Sequence, residues 1–141
     1  MAKGTPIGFK IAGALHRTAY RLGLGRKMMG VPVLILRTTG RRSGNQIETA
    51  LTYFEDSEGK FVIASKGGAP ADPAWYLNLV AQPEVSVQIG NEVSKQRATV
   101  VTDPTERNRL YAIAVKAMPG YAGYEKKTDR KIPVVRLAPV S

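Results

Sequence analysis

The 141-residue chain has no cysteine and a single histidine, His16, with no pair of acidic residues beside it. These absences exclude a disulfide framework and leave no basis for a nucleophilic triad or a clustered metal site. Acidic residues are scarce as well. Eleven Asp and Glu against 21 Lys and Arg leave a formal net charge of +10, a field that attracts polyanions. No apolar run is long enough to span a bilayer, and Ile11 to Leu15 is interrupted by His16 and Arg17 before it forms a signal-peptide core. With 43% apolar residues the chain suits one domain with a real core. A soluble, cytoplasmic protein is the expectation.

What the chain does have is an anion cradle. The apolar run Val31 to Leu36 leads into Thr38-Thr39-Gly40-Arg41-Arg42-Ser43-Gly44, where a buried strand gives way to a tight turn. Glycines allow close backbone approach, adjacent arginines offer planar forks of donors for phosphate or carboxylate, and Ser43 adds a hydroxyl. Paired arginines in a turn are by themselves more often solvated charge. A protein with a cradle and no reactive side-chain set binds a cofactor that brings its own chemistry.

The N-terminal segment 1–30 is basic and free of acidic residues, and Ile7, Ile11 and Leu15 predict an amphipathic helix over 7–22. Its basic face suits packing on the rest of the fold, the acidic end of a cofactor, or peripheral contact with an anionic membrane. Residues 31–141 carry the main domain. Strands are predicted over Val31–Thr38, Gln46–Phe54, Lys60–Ser65, Glu84–Ile89, Glu92–Val101 and Ile132–Leu137, with hairpin turns at Asp56 to Gly59 and Gly90-Asn91. Lys66-Gly67-Gly68 reads as a second flexible, donor-rich loop. Asp72-Pro73 predicts an N-cap and a short helix through Trp75 to Leu79, closed by Pro83. Asp103-Pro104-Thr105-Glu106 predicts a capping box and a helix to Met118, broken by Pro119-Gly120 and followed by a basic loop. Strands joined by hairpins and decorated with helices point to an α+β fold with a mostly antiparallel sheet or small barrel. No helix-turn-helix, zinc-finger or RNA-recognition signature accompanies the charge, so nucleic acid is not the expected partner.

Five stretches in order resemble the deazaflavin-dependent nitroreductase family of actinobacteria: Leu36 to Gly44, Ala64 to Gly68, Asp72 to Leu79, Pro119 to Tyr124 and Thr128 to Val135. The resemblance covers about Val31 to Pro139. It implies a split β-barrel, similar to FMN-binding split barrels, that uses reduced coenzyme F420, a deazaflavin with a phosphate and an oligoglutamate tail, to pass hydride to a quinone, nitro compound or enone. Carried over position by position, it implies cofactor contacts at Arg41, Arg42 and Ser43, at Ile47, Glu48, Thr49, Ala50, Leu51 and Thr52, at Ile63, Ala64, Ser65 and Lys66, at Ala74, Trp75, Tyr76, Leu77 and Asn78, and at Tyr121. The chain departs from the family pattern at Ile47, often arginine, at Ala50, often proline, and at Met118, tyrosine in some members.

Ser65, Tyr121 and Tyr124 are the candidate catalytic donors to negative charge developing on the substrate oxygen. Each also has a structural reading, as a loop residue or as tyrosines that close the barrel, just as Trp75 and Tyr76 suit a core. Two other functions fit the same residues. An FMN-binding split barrel would use the arginine turn for one terminal phosphate, and a non-catalytic basic protein would bind nucleic acid or lipid.

Overall fold

A computed structural model describes the backbone of residues 27 and 28 and residues 31–140 in full. The helix expected over 7–22, and with it the proposed membrane or cofactor-tail contact of the N-terminal segment, lies outside the described residues.

The strands are β1 (Lys27–Met28), β2 (Val31–Thr39), β3 (Gln46–Thr52), β4 (Phe54–Asp56), β5 (Gly59–Ile63), β6 (Glu84–Ile89), β7 (Glu92–Val100) and β8 (Val134–Pro139). Among the described residues three α-helices accompany them, α1 (Ala74–Ala81), α2 (Pro104–Ala117) and α3 (Gly120–Lys127), with a short 3-10 turn at Lys66–Gly68 after β5. All pairings are antiparallel, in the order β1-β2-β6-β7-β8-β5-β4, with β3 also on β2. β3 occupies one edge of this curled sheet and β4 the other. A single residue, Tyr53, joins them, and its amide donates to the Pro32 carbonyl at 3.1 Å. The chain itself therefore bridges the two edges, which makes a split barrel of the α+β class.

Side-chain alternation explains why the apolar runs are continuous. Leu34 and Leu36 of β2, Val62 of β5 and Val135 and Leu137 of β8 enter one cluster with Tyr53, Trp75 and Leu79. Their neighbours Phe61, Ile63 and Val134 enter a second cluster with Leu110, Tyr111, Ala114 and Tyr121. A strand buried on both faces has no polar positions to alternate. The first cluster seats α1 over β2 and β7, and the second seats α2 against β8, with α3 packed on α2 and on the turn that follows β5.

Four local expectations are corrected. The predicted strand over 46–54 breaks at Tyr53, where the chain changes sheet edge. Asp72 does not cap α1: Pro73 is the N-cap residue, and the Asp72 carboxylate instead accepts from Arg130 at 2.8 Å. Asp103 does cap α2, accepting from the Glu106 amide at 3.2 Å, but Glu106 turns its own carboxylate to Arg109 at 2.9 and 2.8 Å, so the box is half made. Beyond Pro119-Gly120, where an irregular basic segment is expected, stands α3, its amphipathic signal hidden by its shortness. Among the described residues, no helix is long and apolar enough to cross a membrane.

Candidate active site

Two groups of expected residues lie at opposite ends of β3. At its start, the turn between β2 and β3 closes on itself, the Gly40 amide donating to Asn45 O at 2.7 Å and the Gly44 amide to Gly40 O at 2.8 Å. Ser43 Oγ accepts from the Asn45 amide at 3.1 Å. Asn78 of α1, 2% exposed, fastens the turn: its Oδ1 accepts from both the amide and Nη1 of Arg41 at 3.1 Å, and its Nδ2 donates to Thr38 Oγ1 at 3.4 Å. Arg42 is exposed and has no polar partner among the described residues.

At the other end of β3, Thr52 Oγ1 and the Tyr121 phenol lie 3.0 Å apart in a hydrogen bond. Tyr121 is buried, with the Phe54, Tyr111 and Tyr124 rings edge-on at 5.6, 6.1 and 5.1 Å between centroids. Its backbone carbonyl accepts from the Tyr111 phenol at 2.6 Å. Burial pushes the Tyr121 phenol above its ordinary pKa, with Tyr124 adding to the rise, while hydrogen bonds to Thr52 and Ser65 pull the other way. Thr52, Ser65, Tyr121 and Tyr124 thus form one corner, built by the ends of β3 and β5 and by α3. A neutral phenol at this corner can donate a hydrogen bond to a negative oxygen throughout the neutral range.

The remaining expected residues divide by face. Along β3 the residues Ile47, Thr49 and Leu51 point opposite to Glu48, Ala50 and Thr52, so a ligand on one face meets only one set through side chains. Glu48 is held by Arg37, which donates from Nε at 2.6 Å and from Nη2 to Gln88 at 2.6 Å. Ala50 packs on Val33 and Ile35, and Leu51 on the barrel core. Ile63, Ala64 and Trp75 are buried in the two clusters, Tyr76 packs on the first, and Ala74 and Leu77 are exposed. A cavity of about 230 Å³ lined by Val31, Pro32, Tyr53, Phe54, Glu55, Ile113 and Ala117 includes none of the expected residues.

Sequence reasoning missed Arg130, which belongs to the second group. It reads as part of a solvated basic tract, yet its side chain is only 14% exposed and its guanidinium contacts the loop after β5. Arg107 is a second such residue, 5% exposed, donating from Nε and Nη2 to Ile132 O at 3.1 and 2.8 Å and from Nη1 to Glu125 at 2.8 Å. It links α2, α3 and the approach to β8. The proximity of an arginine and an acidic residue far apart in sequence has no local pattern to reveal it.

Six residue steps of β3, about 20 Å at strand geometry, separate the cationic turn from the tyrosine corner. A model of the F420H(2)-dependent quinone reductase family matches residues 12–139. The chain belongs to this family. It is 36% identical over 133 residues to F420H(2)-dependent quinone reductase Rv1261c of Mycobacterium tuberculosis, covering 87% of each chain. A solved F420-H2 dependent reductase, FDR-A, is 41% identical with a TM-score of 0.67, covering 75% of this chain and 93% of its own. A structure described as a domain-swapped dimer is 35% identical with a TM-score of 0.68, covering 89% and 98%. The protein is accordingly an oxidoreductase with reduced F420 as hydride donor and a small molecule as acceptor, which decides between the deazaflavin and FMN.

Proposed function

We propose that this quinone reductase holds F420 along β3, with Arg41, Arg42, Ser43 and Lys66 meeting its anionic groups and the Thr52–Ser65–Tyr121 corner meeting the reacting end. Quinones are the first acceptor class, with nitro compounds and enones sharing the same electron-poor chemistry. Bound reduced F420 supplies a hydride to such an acceptor. The protein's contribution is geometry and electrostatics. Tyr121 OH donates to the acceptor oxygen as negative charge accumulates there, with the Thr52 hydroxyl donating to the phenol oxygen and so freeing its proton for the acceptor. Tyr124 packs beside it at 5.1 Å and orients its ring. The observation that carries this reading is the buried Tyr121 phenol hydrogen-bonded to Thr52 beside Ser65.

Single-turnover reduction of menadione by the F420H2-loaded protein tests it. Tyr121→Phe keeps the packed ring and deletes one donor, so the rate should fall by roughly 10²–10³ where water is excluded. Affinity for F420 should stay close to that of the wild type. Unchanged rates in Tyr121→Phe, Tyr124→Phe and the double variant would remove both phenols from the mechanism.

A further inference from the structure

The loop after β5 holds one residue, Lys66, in a backbone conformation that its type does not favour. Ser65 is right-handed at φ −76°, and the next three residues are left-handed: Lys66 at φ 46°, Gly67 at 63° and Gly68 at 83°. Lys66 is the one non-glycine residue with positive φ among those described. A side chain in that region costs on the order of 1–2 kcal/mol and persists only where surrounding contacts determine it. Two local bonds, Gly68 N to Ser65 O at 2.9 Å and Ala69 N to Lys66 O at 3.1 Å, close the turn.

α3 packs against Gly68 through Tyr124 and Lys127, and Arg130 adds long-range hydrogen bonds to the turn. Nε donates to Ala69 O at 2.8 Å, Nη2 to Ser65 O at 2.8 Å, and Nη1 to Ala64 O at 3.2 Å and to Asp72 Oδ1 at 2.8 Å. One planar fork therefore grips carbonyls on both sides of the left-handed residues, and Asp72 balances its charge. Four of the five N–H donors of the guanidinium are engaged, so Arg130 is a poor candidate for binding an external anion. Its role is internal.

We propose that Arg130 and Asp72 form a positioning clamp: the guanidinium holds the Ser65–Gly68 turn in its left-handed shape and thereby sets where the Lys66 ammonium and the Ser65 hydroxyl stand. This rests on the assignment of Lys66 to the cofactor's anionic groups. Lysine is not an adequate replacement for Arg130, because three donors on one nitrogen cannot span carbonyls that flank the turn. Arg130→Lys keeps the charge and removes the fork.

The experiment measures F420 affinity by titration, together with amide hydrogen exchange at Gly68 and Ala69, in the wild type, Arg130→Lys, Lys66→Ala and the double variant. The clamp predicts faster exchange at both amides in Arg130→Lys and affinity about tenfold weaker. It also predicts that the double variant binds no more than about twofold worse than Lys66→Ala, since both changes act on one contact. Strictly additive losses, or unchanged exchange, would overturn the clamp. Lys66→Ala binding F420 normally would instead overturn the assignment of Lys66, with the exchange data still judging the clamp on its own. Should Arg130→Lys not fold, Asp72→Asn gives the same comparison with the fork intact and its counter-charge removed, and the expected shifts are smaller in the same direction.

Discussion

The two glycine-containing turns at the site hold similar residues by different means. Gly40 to Gly44 carries two arginines and a serine, is closed by its own backbone bonds, and is pinned from outside by Asn78. Ser65 to Gly68 carries a serine and a lysine, but its carbonyls are gripped by an arginine 61 to 66 residues further along the chain. The first turn is closed by its own backbone, tied to the rest of the fold through the single side chain of Asn78, and presents charge. The second is a long-range structure in which charge, hydroxyl and backbone shape depend on a distant side chain. Damage to the second should therefore spread, and damage to the first should stay where it is made.

Gly68→Ala is the severest test of that difference. A Cβ there would stand 2.9 Å from the Tyr124 carbonyl oxygen and from Lys127 Cβ, at a φ of +83°. Left-handed strain and overpacking together should cost on the order of 3 kcal/mol of stability. Because the obstructing atoms belong to α3, Tyr121 and Tyr124 should shift too, and quinone reduction should fall with stability. Thermal melts and menadione turnover on the same preparation read both. Normal turnover in a destabilised variant would show that α3 moves independently of the second turn.

Arg42→Ala addresses the first turn. The side chain is exposed and makes no polar contact among the described residues, so the melting temperature should be unaffected. Affinity for F420 should weaken by about 1.5–3 kcal/mol if the guanidinium meets an anionic group, and raising salt should narrow the gap between variant and wild type. A lower melting temperature with normal affinity would give Arg42 a structural role and erase the contrast between the turns.

Acidity separates structural from catalytic ionisation. Asp56, at the β4–β5 turn, accepts from Arg136 at 2.6 Å and Arg109 at 2.7 Å, and these hydrogen bonds, Arg136 foremost, hold its carboxyl well below the usual carboxylate range against the opposing effect of burial. A depressed folded-state pKa contributes stability above the unfolded value and loses it as pH falls through the folded one. Stability should thus decline below about pH 4. Tyr121 has the opposite sense: burial raises its pKa and keeps the neutral phenol favoured, an effect lost only in strong alkali, so the donor role proposed for it predicts a flat pH–rate limb between neutrality and about pH 9. Denaturant midpoints across acid pH and single-turnover rates across alkaline pH check the two separately. A rate limb falling near neutrality would implicate another group.

This division also marks how far the sequence was legible. The first turn is contiguous, so Gly40, Arg41, Arg42 and Ser43 identify it without a fold, and a continuous apolar run before it and an alternating run after it locate the strands that flank it. Tyr121 was legible as a candidate through family resemblance, but its bond to Thr52 joins residues 69 apart and comes from the sheet closing at Tyr53. Arg130 and Arg107 look like surface charge because sequence reports charge and not burial. Asp72 before Pro73 has the form of a helix cap, yet a guanidinium at 2.8 Å competes for its carboxylate and wins. Long-range pairing overrides local preference at each of these sites.

The mildest expected effect belongs to Gly44→Ala. Gly44 has φ +74°, the same left-handed region as Gly68, but a Cβ built there meets nothing within 4 Å. Only the intrinsic cost of placing a side chain at that φ remains, about 1 kcal/mol, partly offset by a less flexible unfolded chain. Arg41 would remain fastened to Asn78, and Ser43 would still accept from the Asn45 amide, so F420 affinity should change less than in Arg42→Ala. Chemical denaturation and cofactor titration together decide the point. A loss of stability matching that of Gly68→Ala would mean that the first turn is also a long-range structure, held by contacts beyond Asn78 and its own backbone.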